Sequence, residues 1–225
     1  MNILYEDNHL IAINKIGYDL VQSDSTGDEP LVDKVKNYIK KKYNKAGDVY
    51  LGIVHRIDRP VTGTVLFART SKALVRMNKL FQDKKVKKTY LAIVKTLPPE
   101  DEATITHYIS KDSEKNKSYA YIKKRSGTKE AVLSYRLISS ASNYYLLEID
   151  LITGRHHQIR CQLAKIGCPI RGDLKYGFAR SNSNGGISLH AHKLEFEHPV
   201  TKEFVSIVAP IPNNDNLWKE FENIL

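Results

Sequence analysis

Sulfur is scarce in this chain: among 225 residues there are two methionines and two cysteines, Cys161 and Cys168. Their spacing matches neither a C-x-x-C redox pair nor a zinc knuckle, and both read as buried thiols. No apolar run approaches the roughly 20 residues needed to span a bilayer. The opening MNILYEDNHLIAINK sets acids ahead of a short apolar stretch and offers no small-residue cleavage site, so it does not read as a signal peptide. The cytoplasm is therefore the expected compartment, and the sequon at Asn116 carries no meaning there. There is no internal repeat, no low-complexity segment and no long linker. A metal site is not expected either. His156-His157 and the pair His190 and His192 find no third ligand at matching spacing and read as structural histidines. A glycoside-type hydrolase would need a second carboxylate in similar context to the acid discussed below; Asp150 is the best available and nothing marks it out.

What is present is ordinary in proportion and unusual in charge. Apolar residues make up 41% and charged residues 27%, as in soluble globular proteins. The length suits a single domain over 1–225. Lys and Arg number 35 against 25 Asp and Glu, a net +10. The cations cluster in KNYIKKKYNK, DKKVKK and YIKKR. One such cluster is a solvated helix face; three with a net excess are the footprint of a protein that works on nucleic acid. A membrane surface is the weaker reading, because no amphipathic helix pairs these charges with an apolar face.

The periodicities predict a strand at Leu10–Lys15 and a helix over EPLVDKVKNYIKKKY, with Pro30 in its first turn and Leu31, Val35, Tyr38 and Ile39 on one face. A buried strand follows at Thr64–Arg69, then an amphipathic helix from Ser71 presenting Leu74, Met77 and Phe81, then a strand at Thr89–Val94. ATITHYIS, KSYAYIKK, EAVLSYRLIS and NYYLLEIDLI alternate with period two. HQIRCQLAKIG returns to helical spacing through Ile159, Leu163 and Ile166, with Gly167 as its stop. Two further strands, ISLHAHKLEF and EFVSIVAP, precede a short helix in NNDNLWKEFENIL. SNSNGG, Ser181 to Gly186, is the one flexible loop. The expected class is α+β, a mixed and largely antiparallel sheet with flanking helices.

Two stretches can carry chemistry. In VHRIDRPVTG, Asp58 stands between Arg56 and Arg59, just ahead of a buried strand. Flanking arginines favour an ionised carboxylate, a nucleophile rather than a proton donor, and also grip phosphates bidentately. On charge and spacing alone, a salt-bridged surface loop is at least as good a reading. In LITGRHHQIRCQL, a strand turns at Gly154 into a helix whose N-terminus, with Arg155 and Arg160, favours an anion. A strand–turn–helix connection with a basic start explains the same residues.

HRIDRPVTGTVLFART resembles the catalytic stretch of the RluA-type pseudouridine synthases. YEDNHLIAINK, KKTYLAIV, ITGRHHQIRCQLAKIGCPIRGDLKYG and LHAHKLEFEHPVT resemble the family's remaining motifs in the family's order, from Tyr5 to about Pro212. Thr64 follows the motif glycine where an apolar residue is commoner, and Ile16 replaces the usual proline of the Lys-Pro loop. Many relatives begin with an S4 RNA-binding domain; this chain begins at the catalytic domain, so recognition is expected from its basic surface. The resemblance implies the pseudouridine synthase fold and conversion of a uridine in structured RNA, ribosomal or transfer, to pseudouridine. It implies no cofactor and no metal; nothing in the sequence suggests more than a monomer. It makes Asp58 the catalytic acid, Tyr90 the active-site tyrosine and Arg155 the partner of the carboxylate. Arg56 becomes the filler of the gap left by a flipped base, and Ile159 an apolar pocket wall, while Arg59 and Arg160 join the RNA-binding residues. The competing reading is a catalytically silent RNA-binding module on the same scaffold.

Overall fold

The computed structural model describes residues 1–23, 27–213 and 215–222. In chain order the first elements are β1 (Asn2–Glu6), β2 (Leu10–Lys15), α1 (Leu31–Lys42), β3 (Gly52–Ile53), β4 (Thr62–Ala68) and α2 (Ser71–Gln82). Next come β5 (Lys87–Val94), β6 (Glu102–Asp112), β7 (Lys117–Tyr121), β8 (Lys129–Ala141), β9 (Tyr144–Leu151) and α3 (Gln158–Lys165). A 3-10 turn at Leu174–Tyr176 precedes β10 (Leu189–Glu197), β11 (Phe204–Val208) and α4 (Asn216–Glu222). The class is the expected one: helices flank strands that pair largely antiparallel. No helix among the described residues is long and apolar enough to cross a membrane.

The chain forms two compact units. Unit 1 comprises Met1–Val86 and Lys193–Pro210, and unit 2 comprises Lys87–His192 and Ile211–Leu225. In unit 1, β2 pairs antiparallel with both β1 and β4. Leu10, Ile11, Ala12 and Ile13 are all buried, so β2 is covered on both faces, which is why LIAINK reads as a continuous apolar run. Leu10, Ala12, Leu66 and Ala68 pack with Leu194, Phe196, Val205 and Ile207 of the β10–β11 hairpin and with Met77 of α2. α2 is fixed at its start by Thr70, whose hydroxyl accepts the Ala73 N–H at 3.1 Å. It ends at Gln82, ahead of the run DKKVKK, because Lys84 takes φ +57° and the Lys85 N–H turns back to Leu80. Pro30 stands one place ahead of α1, at its N-cap with extended ψ, rather than in the first turn.

β1, unanticipated because NILYE is only half buried, explains the YED motif. Asp7 accepts the N–H groups of His9 and Leu10, each at 2.7 Å, and the Tyr5 hydroxyl at 2.8 Å. Its other neighbour is His198 Nε2 at 3.0 Å. Burial alone would raise the Asp7 carboxyl, but these donors outweigh it and hold the group below the usual carboxylate range. His198 Nδ1 in turn accepts the Thr201 N–H at 3.0 Å. Two motifs almost 200 residues apart thus close one corner of unit 1.

In unit 2, β5–β9, β9–β8, β8–β6 and β6–β7 pair antiparallel in succession. Leu91, Ile93 and Leu146 are covered by Leu217, Trp218 and Phe221 of α4. A second cluster joins Ile109 and Ala131 to Cys161 of α3 and to Tyr176. Both cysteines are buried free thiols, as read. Gly172, at φ +85°, admits no side chain because a Cβ there would meet Asn182 at 2.7 Å. Asn182 is buried and donates to Ser188, so SNSNGG is anchored at its second residue.

Candidate functional site

The loop between β3 and β4 carries the first candidate group. His55 and Ile57 turn inward: the His55 ring stacks on Phe81 at 5.3 Å and its Nε2 accepts the Leu66 N–H. Ile57 is buried, whereas Arg56 is exposed and Asp58 is half-buried. The alternation holds the loop by His55 and Ile57 and leaves Arg56 exposed. A turn follows, with the Val61 N–H donating to the Asp58 carbonyl at 3.0 Å.

A residue that the sequence reading passed over braces this loop from below. Lys15, the last residue of β2, is 1% exposed. Its ammonium donates to the carbonyls of Ile16, Arg59 and Val61 at 2.9, 2.9 and 2.7 Å. The Arg59 carbonyl also accepts the Tyr18 N–H at 3.0 Å, so the backbone on either side of Pro60 is fixed from two directions. Burial pulls the Lys15 pKa down to about 7; the charges of Asp19 and Asp58 act against that pull and Arg59 adds to it. The sequence signal was a lysine closing an otherwise apolar strand.

The two motif arginines reach partners outside the motif. Arg56 Nη1 donates to Gln22 at 3.1 Å, and Arg59 Nη2 meets Asp28 at 2.5 Å. Arg59 is thus a loop-to-loop tie as well as a surface cation.

Unit 2 carries the remaining candidates. Tyr90 lies on β5, opposite Ile149 of β9, and is 8% exposed. Arg155 is exposed ahead of α3, with its Nε donating to the Glu130 carbonyl at 2.9 Å. Its N–H is held by Gln158 Oε1, which also accepts the Thr153 hydroxyl at 2.8 Å. That glutamine does the work of a cap, because His157 at the N-cap adopts φ 51° and offers no side-chain bond. Ile159 is buried on α3.

Arg160 requires a correction. As a fixed charge for RNA it needs solvent, yet it is 5% exposed and bound bidentately to Asp173, at 2.7 and 2.9 Å. Its guanidinium also lies over the Tyr176 ring, 5.0 Å from the centroid. It is an internal strut between α3 and the 3-10 turn. The neighbouring histidines belong to the same scaffold. His156 stacks on His157 at 3.8 Å and bonds Ser118 and Asn116 through its two nitrogens. His157 Nδ1 pairs with the Tyr176 hydroxyl at 2.9 Å; burial first, then the Arg160 charge, pushes its pKa down to about 2, so the ring is neutral. Among the described residues no group of three or more His, Cys, Asp or Glu is placed to hold a metal ion.

A family model described as RNA pseudouridylate synthase matches residues 9–165. A Synechocystis protein named as an uncharacterized RNA pseudouridine synthase is 33% identical, over 94% of this chain and 66% of its own length. A Buchnera aphidicola protein named ribosomal large subunit pseudouridine synthase C is 32% identical, over 93% of this chain and 66% of its own length. This chain therefore spans just under two thirds of those two curated relatives. Among solved structures, the human RNA pseudouridylate synthase domain containing 4 superposes with a TM-score of 0.81 at 24% identity, covering 99% of this chain and 93% of that one. That likeness is one of fold.

Proposed function

The chain belongs to the RNA pseudouridylate synthase family, and from that membership we propose that it isomerises a uridine of structured RNA, ribosomal or transfer, to pseudouridine. The observation that carries the proposal is the placing of Asp58. It is a half-buried carboxylate within the matched segment, on a loop whose backbone a buried lysine clamps. A reacting acid must be presented by a frame that does not yield, and Lys15 supplies one at the residues immediately after it.

In the reaction the C1′–N1 bond of the nucleotide breaks, the uracil rotates, C1′ bonds to C5, and the C5 proton is lost as N1 gains one. Three routes begin from an ionised Asp58: attack on C1′, addition to the base, or removal of the 2′ proton to give a glycal. Each needs the target nucleotide drawn out of its stack, at a cost on the order of a few kcal/mol that is least in a loop or bulge. Arg56, exposed beside Asp58, suits the filling of the vacated stack, because a planar guanidinium stacks as well as it pairs. Tyr90 offers a ring to the uracil, Arg155 a charge to the carboxylate, and Ile159 an apolar wall. Arg59 contacts phosphate. Residues 1–225 act as one catalytic domain, as a monomer in the cytoplasm, with neither metal nor cofactor.

The test is site-resolved pseudouridine mapping on unmodified ribosomal and transfer RNA transcripts. The wild-type protein is expected to create a pseudouridine at a defined position. Asp58→Asn is expected to create none while binding the same transcript with nearly unchanged affinity. Turnover by the variant near the wild-type rate overturns the role of Asp58. Binding without any product, even from the wild-type protein, favours the silent module.

A further inference from the structure

The reaction above uses neither the YIKKR cluster nor the strand before it. β7 pairs with β6 and ends the strand order of its sheet. Such an edge exposes backbone groups, and part of this one is covered: the Ser118 N–H donates to the Tyr176 hydroxyl at 2.8 Å. Beside that contact lies an open cavity of about 550 Å³, bounded by Lys117, Tyr119, Tyr121, Arg125, Lys165 and Tyr176 among others. No carboxylate is among the residues that line it.

The lining pairs cations with ring faces. Arg125 Cζ sits 4.1 Å from the Tyr121 ring centroid. Lys117 Nζ sits 5.7 Å from that of Tyr119 and 5.4 Å from that of Tyr176. Tyr119 and Tyr121, two apart on a strand, lie on the same side of it. Arg125 is not a loose surface side chain at its root: its N–H donates to Thr128 Oγ1 at 3.1 Å, and that hydroxyl donates back to the Arg125 carbonyl at 2.6 Å. Protection of a sheet edge asks for charge alone and would be met by the lysines. It does not ask for two tyrosines on one side with a guanidinium held over one of them.

We infer that this groove at the edge of β7 is a second RNA contact, taking an unpaired nucleotide whose base stacks on Tyr121 or Tyr119 while Lys117, Arg125 and Lys165 meet the flanking phosphates. The inference rests on an RNA substrate and names an additional contact for it. A stacking platform among cations is the chemistry of single-stranded nucleic acid, since a base must be unpaired to offer its face. A duplex would use the cations and leave the rings idle; an acidic peptide would do the same. The volume falls in the range of about 300–1,000 Å³ typical of small-ligand sites, which suits a nucleotide and not a folded partner.

The experiment uses the full chain and a short oligouridylate, with an abasic oligoribose phosphate of equal length and polyglutamate as controls. Tyr121→Ala is expected to weaken oligouridylate binding about tenfold and to leave the abasic control unchanged. Tyr121→Phe, which keeps the ring, is expected to restore the affinity. Arg125→Ala is expected to weaken both nucleic-acid ligands and to reduce the salt slope by about 0.7. An oligonucleotide carrying 4-thiouridine is expected to photocrosslink within residues 117–125. Loss of affinity for all three ligands alike in Tyr121→Ala, or crosslinks mapping wholly outside 117–125, would overturn the groove. These readouts need no turnover. A protein that makes no pseudouridine but shows them retains the groove and loses the proposed activity, whereas one that makes pseudouridine without them does the reverse.

Discussion

The buried ammonium of Lys15 is the residue on which the candidate loop rests. Its charged form pays for burial with three carbonyl bonds, and its pKa still falls from 10.5 to about 7. The sign of the consequence is fixed. Between pH 7 and 10.5 the unfolded chain holds a proton at this position that the folded chain has released. Stability from this group therefore rises with pH across that window, and below it the penalty is full, on the order of a few kcal/mol. Denaturation of wild-type and Lys15→Met proteins at pH 6 and pH 9 is expected to show the wild type gaining on the variant at the higher pH. A constant difference would contradict the shift. Arg56, exposed and bonded to Gln22, gives a second test. Arg56→Ala is expected to slow modification of a folded transcript more than that of an unpaired fragment, measured as single-turnover rates; equal losses would contradict stacking into the gap. At this scale the sequence exposed Asp58 through its flanking arginines, but it could not show the true partner of Arg160. That partner, Asp173, lies 13 residues on and meets it only through the 3-10 turn.

Among the elements, α3 shows most clearly what periodicity reads and what it misses. Ile159 and Leu163 are buried as their spacing requires, and Gly167 at φ +85° ends the helix. It starts at Gln158, one residue into HQIRCQLAKIG, where a left-handed His157 and a glutamine reaching back to Arg155 replace the ordinary cap. The Arg160–Asp173 pair then ties the helix to the turn that holds Tyr176. Asp173→Asn leaves a buried guanidinium short of its counter-charge and is expected to cost about 3–5 kcal/mol in chemical denaturation. Arg160→Met with Asp173→Leu is expected to recover much of that loss, since a well-packed apolar pair avoids the uncompensated charge. β7 and β8 were legible as alternating strands, whereas the bond from β7 to Tyr176 depends on a contact 58 residues away in sequence.

At the scale of the molecule, the net charge of +10 makes a definite demand. Lys and Arg that meet phosphates release counterions, so affinity for RNA is expected to fall steeply and linearly on a log–log plot against salt. A flat profile from about 50 to 200 mM would separate the basic clusters from RNA binding. The largely antiparallel sheet was legible because alternating runs follow one another along the chain. The division into two units was not, since no linker or change of composition marks Val86, His192 or Pro210, and β10 runs through one junction. That interleaving bears on how the protein comes into being. Leu194, Phe196, Val205 and Ile207 complete the core begun by Leu10 and Leu66, and Leu217, Trp218 and Phe221 complete the one begun by Leu91. A ribosome that has delivered residues 1–192 has therefore left both of these interiors unfinished. Early chain release would leave both apolar faces open to chaperones and proteases, and the two units reach maturity together as the stretch from Lys193 to Phe221 emerges.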